Sequence, residues 1–171
     1  MNKDVIVNRV ANSGLLNIDL SNYRPKSEIL ELDLKLFLFN GVILKEALFR
    51  DQLKKFDFGK YKDKNVALFC SVDTIIPRWA YMLITTHLND SKVFFGNKNA
   101  VFQSLFLENI NSINSEEFIN KSVVVNGCGD IEISESIYIA ITKKLQKNVK
   151  SLMFGEACSA VPIYKKKKRI K

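Results

Sequence analysis

Apolar and polar positions alternate and cluster in a way that divides the chain into strand and helix signals. In the first third, VIVNRV and LLNIDL flank the polar, glycine-containing Ala11-Asn12-Ser13-Gly14, a pattern that predicts two short strands in a hairpin. After Tyr23-Arg24-Pro25-Lys26, the run EILELDL places Leu30, Leu32 and Leu34 on one face and Glu31 and Asp33 on the other, as a half-buried strand does. Asn40-Gly41 breaks the next apolar stretch. From Leu44 to Phe56, Leu44, Leu48, Phe49, Leu53 and Phe56 recur at helical spacing with charges between them, predicting an amphipathic helix.

From about Lys64 the pattern changes to a repeated β-then-α unit. NVALFC is a near-continuous apolar run suited to a strand buried on both faces. A helix over about Ile75–Leu88 follows, which Asp73 or Thr74 can cap and whose first turn suits Pro77. KVFFG, SVVVNG and SLMFG read as three further strands. A helix over Asn99–Asn109 follows the first of these. Another, capped by Ser134 and carrying Ile137, Ile141 and Leu145 on one stripe, follows the second.

Strands alternating with helices across short connections predict an α/β fold with a doubly wound, mostly parallel sheet, flavodoxin-like or Rossmann-like. The expected organisation is one domain over residues 1–164, with a β-rich segment over 1–63 and repeated β-α units over 64–164, then a basic tail over 165–171. Numbering the four strands of the repeat in chain order, the expected order is 2-1-3-4, with KVFFG at an edge.

Ligands of such sheets bind beyond the carboxyl ends of the strands. Those ends carry all three cysteines: Cys70 in FCSVD, Cys128 in GCGD and Cys158 in GEACS. In the order 2-1-3-4, Cys70 and Cys128 would lie on adjacent strands about 4.8 Å apart, with Cys158 folding back toward them. The expected site is therefore a three-thiol edge that ligates a metal, zinc or an iron–sulfur cluster, with Asp73, Asp130 or Glu156 completing or orienting the shell. Against it stands the lack of any C-x-x-C pair or local zinc spacing. Two other readings stay open: a thiol enzyme or sulfur acceptor, and a scaffold or binding module whose cysteines are inert packing.

Composition narrows the field. With 47% hydrophobic and 11% aromatic residues, the chain can build its own core. The formal charge of +8 is concentrated in the tail, where Lys165, Lys166, Lys167, Lys168, Arg169 and Lys171 leave only +2 for residues 1–164. That distribution disfavours a nucleic-acid face. The apolar stretch Thr74–Leu88 is interrupted by Pro77, Arg78 and His87 and is too short to span a membrane. The amino-terminal residues lack a secretory pattern, so a cytoplasmic location is expected. His87, the only histidine, falls far along its helix from the cysteine edge, which removes histidine-based triads. GCGD can hold an anion on backbone N–H groups, but it is not a dinucleotide or Walker motif. Trp79 and Tyr81 read as packing residues.

The segments IVNRVANSGL, LFNGVILKEALFR, FCSVDTIIPRWAYML, VVVNGCGD and VKSLMFGEACSAVPIYKK resemble an uncharacterised bacterial family found mainly in Bacteroidetes, domain-of-unknown-function family 2480. The resemblance runs nearly end to end and its motifs include the three cysteines, Pro77, Asp73, Asp130 and Glu156, but not His87. It carries no established activity. It does imply a loose association with the sulfur-mobilisation machinery, and so iron–sulfur assembly proteins as partners.

Overall fold

The computed structural model describes residues 14–127, 132–156 and 159–167. Its strands are β1 (Leu15–Asp19), β2 (Ile29–Asp33), β3 (Asn65–Phe69), β4 (Lys92–Phe95), β5 (Ser122–Asn126), β6 (Ser151–Phe154) and β7 (Val161–Lys165). The helices are α1 (Glu46–Lys55), α2 (Arg78–Thr86), α3 (Lys98–Ser112) and α4 (Glu135–Leu145). The chain divides into two compact units. Unit 2 is the continuous stretch Lys26–Ser104, and unit 1 is built from Met1–Pro25 together with Leu105–Lys171.

The architecture is α/β with parallel-dominated sheets, as the alternation of strand and helix signals requires, but the strand order is different from the one expected. Two sheets form, β1-β5-β6-β7 and β2-β3-β4. KVFFG does sit at an edge beside NVALF, and SLMF does pair with SVVVN, each in parallel. The expected pairing of NVALF with SVVVN does not form. β3 takes β2 as its second neighbour, and β5 takes β1. The reason lies in the early strands, which occupy the two central flanks that the order 2-1-3-4 assigned to one another.

Residues 1–13, the first arm of the expected hairpin, lie outside the described residues. The second arm, LLNID, pairs in parallel with β5, Leu15 opposite Ser122 and Asp19 opposite Asn126. β7 is an added strand, antiparallel to β6. Pro162 hides it from a strand pattern and also explains its place, since proline lacks the N–H of an interior ladder and is confined to edges.

Each unit has its own core. In unit 2, Leu32, Phe37, Phe49, Leu53, Tyr61, Val66, Leu68 and Ile84 pack together out of solvent, with Phe37 edge-on to Phe49 at 5.9 Å. The helical stripe foreseen for α1 is the one that buries: Phe49 and Leu53 vanish from the surface. In unit 1, Ile18, Leu20, Phe106, Ile110, Val123, Ile137, Ile141 and Leu145 are buried. Helix α2 starts at Arg78, three residues later than its apolar pattern suggests, because Pro77 holds an extended ψ of 142° as the N-cap residue. Thr74 does not cap it; its hydroxyl donates to the Val42 carbonyl at 2.6 Å. Ser134 is the N-cap residue of α4 by position, as expected, but its side chain makes no capping hydrogen bond; its hydroxyl lies 2.8 Å from that of Ser136.

The two units repeat one plan. Ser13–Leu20 and Ser27–Leu34 share Ser, Leu, Asp and Leu at matching places. Each of β1 and β2 ends in an aspartate whose carboxylate accepts the N–H two residues on, Ser21 from Asp19 and Lys35 from Asp33, both at 2.9 Å. Each aspartate opens a short 3-10 turn led by a fully buried leucine, Leu20 or Leu34. Residues 46–88 then match residues 103–145 without a gap, keeping Phe49 and Phe106, Val66 and Val123, Tyr81 and Tyr138, Ile84 and Ile141, and Leu88 and Leu145. Every one of those pairs except the tyrosines is buried in both copies.

Candidate functional site

In unit 2, β2 and β3 deliver Asp33, Cys70 and Ser71 to one edge. The Asp33 carboxylate accepts the Ser71 N–H at 3.0 Å as well as that of Lys35, tying the turn after β2 to the loop after β3. Burial pushes the Asp33 carboxyl up, but the hydrogen bonds from Ser71 and from the Lys35 N–H outweigh it and hold the group below the ordinary carboxylate range. Cys70 is a half-buried free thiol directly after β3. Nearby on α2, burial first and the charge of Cys70 second hold the Tyr81 phenol above its ordinary range. Tyr81 meets Phe95, the last residue of β4, edge-on at 5.6 Å. Glu31 accepts the Lys98 N–H at the start of α3.

The expected metal ligands are not gathered as the order 2-1-3-4 required. β3 and β5 belong to different sheets, so strand adjacency cannot bring Cys70 to Cys128. Matched through the strand registers, Cys70 also corresponds to Gly127, not to Cys128, so the cysteines do not hold equivalent positions. Asp73 and Glu156 are exposed. Cys128, Asp130 and Cys158 lie outside the described residues. Among the described residues no group of three His, Cys, Asp or Glu could hold a metal ion. His87 stacks on Phe58, centroids 5.2 Å apart, and Trp79 packs edge-on against Phe49 at 5.8 Å.

Unit 1 carries a feature that no sequence motif announced. A cavity of about 330 Å³ opens between α4 and the strands β5, β6 and β7, walled by Val125, Tyr138, Ile141, Leu152, Phe154 and Ile163, with Thr142 the one aliphatic alcohol among the described residues that line it. The cavity runs along the groove between α4 and the sheet, from Leu152 and Thr142 to Val125 and Phe154 at the carboxyl ends of their strands and Tyr138 in the first turn of α4, so one end of it reaches the edge where open α/β sheets take ligands. Gly127 permits this arrangement. A Cβ there would stand 2.6 Å from the Tyr138 hydroxyl oxygen and 2.7 Å from Ile133. Tyr138 meets Phe154 edge-on at 5.6 Å, reproducing the Tyr81–Phe95 pair of unit 2. On the opposite face of β5, Asn126 is 7% exposed and, among the described residues, its side-chain carbonyl oxygen has no hydrogen-bond partner.

A family described as Protein of unknown function (DUF2480) matches residues 4–166. The chain belongs to this family. The DUF2480 match spans both units and every element from β1 to β7. Comparisons with curated proteins and with solved structures give no match. Among the described residues, no helix is long and apolar enough to cross a membrane.

Proposed function

We propose that this DUF2480 chain is a binding protein whose site is the cavity between α4 and β5–β7, and that its ligand is a small, mainly apolar molecule. The observation that carries this reading is the cavity itself: about 330 Å³ of space with an almost wholly apolar wall that reaches the carboxyl ends of β5 and β6. The Tyr138 hydroxyl over Gly127 and the Thr142 hydroxyl are the polar groups that would orient the ligand. Titration with decanoate and with 1-anilinonaphthalene-8-sulfonate tests it. Saturable binding that is lost in Ile163→Trp, where the larger side chain fills the mouth, is the expected result. Absence of saturation, or binding that Ile163→Trp leaves unchanged, overturns the reading.

A second reading is thiol chemistry at the cysteine edge, including metal or iron–sulfur ligation by Cys70, Cys128 and Cys158 with Asp73, Asp130 or Glu156, and iron–sulfur assembly proteins as partners. It is supported by the place of Cys70, half-buried at the carboxyl end of the central strand β3. Metal analysis of untagged protein purified without oxygen, set beside the Cys70→Ser variant, tests it. Protein free of zinc and iron whose Cys70 resists native-state alkylation ends this reading.

A further inference from the structure

The repeat extends to the third strand of each unit, and there the two copies part. β4 and β6 both close on Phe-Gly, and the glycines Gly96 and Gly155 both have positive φ, 127° and 111°. Each donates its N–H to the corresponding carbonyl of the central strand at 3.0 Å, Gly96 to Leu68 and Gly155 to Val125. The outer edge of β6 is covered: β7 pairs with it antiparallel, Val161 opposite Phe154 and Lys165 opposite Ser151. β4 is the edge of its sheet, and among the described residues nothing pairs with its outer side.

The backbone of β4 is set up for such a strand. Lys92 donates to the Lys64 carbonyl just before β3 and Gly96 to the Leu68 carbonyl within it, at 3.0 Å each, so by the two-residue period of a strand the N–H and C=O groups of Val93 and Phe95 face outward. Edges left open in this way are usually guarded by charge, bulge or proline. β4 reads Lys-Val-Phe-Phe, with its only charge at the first position. Phe95 is 78% exposed, whereas its counterpart Phe154, beside β7, is 43% exposed.

We propose that β4 is a docking edge for an extended strand of a partner protein, added antiparallel as β7 is added to β6. The in-chain precedent states the chemistry of that strand: apolar residues at Val161 and Ile163, an aromatic at Tyr164 and lysines after it. The lysine end of β7 reaches the start of β6, where Lys166 donates to the Lys150 carbonyl and the neighbouring turn joins Asn120 to Asn148 at 2.8 Å. The same turn in unit 2 joins Asp63 to Asp90 at 2.9 Å. Two exposed carboxylates thus replace two amides where the basic end of an added strand would arrive, with Lys92 beside them. This is edge-strand addition, in which backbone hydrogen bonds provide affinity and alternate side chains provide selection.

The probe is a synthetic peptide, Ala-Val-Pro-Ile-Tyr-Lys-Lys-Lys-Lys, titrated into the full chain, with a scrambled peptide as control. The expected result is saturable binding, with amide signals of Val93 and Phe95 shifting and gaining protection from exchange. Phe95→Thr keeps the backbone donor and should bind within a few-fold of the parent. Phe95→Pro removes that donor without touching the β3 ladder and should weaken binding about tenfold or more. Failure to saturate, or equal weakening in both variants, overturns the proposal. So does a dimer that Phe95→Pro dissociates, since a second copy would then be the occupant, and so do Val93 and Phe95 amides already protected in the free chain, since part of this chain would then cover the edge. The exchange measurement on the parent protein decides these points even if Phe95→Pro does not fold.

Discussion

At the scale of single residues, the two copies of the plan differ most tellingly at one position. Gly127 and Cys70 occupy the same place after their central strands, and each lies beside the tyrosine of the following helix. Gly127→Ala should therefore push Tyr138 and Ile133 out of place and cost about 1–3 kcal/mol in urea unfolding, a cost of overpacking. Gly14→Ala, with nothing within 4 Å, should cost about 1 kcal/mol from its φ of +61° alone. Asp33 makes a pH prediction. Its folded carboxyl is held below the ordinary value of 3.8, so its contribution is complete above that value and is lost as pH falls through the lower, folded one. Asp33→Ala should cost about 1 kcal/mol at neutral pH, and parent and variant should converge as unfolding is measured at successively more acidic pH. Cys70 was legible as a strand-end residue. The strand pairing that decides its neighbours was not, because no side chain in NVALFC or SVVVNG specifies the partner beyond demanding burial on both faces.

At the scale of elements, periodicity revealed nearly everything that has a clean period. The stripe of α1 buries Phe49 and Leu53, and the alternation of β2 buries Leu32 and leads to buried Leu34, while Leu30, Leu44 and Phe56 are partly buried against the same core. Boundaries moved where proline or a cap decided them, as at Pro77. β7 was invisible because its proline breaks the strand signal, and the cavity was invisible with it, since Ile163 of β7 forms one wall. The matched helices offer a direct check on the duplication. Leu53 on α1 and Ile110 on α3 correspond, and both are buried, 1% and 0% exposed. Leu53→Ala and Ile110→Ala should each cost about 2–5 kcal/mol in chemical denaturation, and because they belong to the cores of different units the double variant should lose about the sum.

At the scale of the whole molecule, the duplication was present in the letters and still easy to miss. Ser13–Leu20 matches Ser27–Leu34 at one spacing, and residues 46–88 match 103–145 at another, because unit 2 is inserted between the first strand of unit 1 and the rest of it. A search at a fixed period sees neither half as part of the same repeat. Unit 2 is continuous and has its own apolar core. A fragment spanning residues 26–112, which completes α3, should unfold cooperatively on its own by circular dichroism, whereas a fragment of residues 1–64 should not.

Insertion also sets an order in time. Of the described strands β1 is made first, yet its ladder partner begins at Ser122, about a hundred residues later, and loops of that span close late in folding. During synthesis unit 2 has all of its strands before the partner of β1 exists, so the nascent chain carries an unpaired strand past a domain that is already complete. Substitutions in β1 such as Ile18→Ala will then act on the closing step and leave the earlier one untouched, so that the earliest of the described strands is the last to become structure.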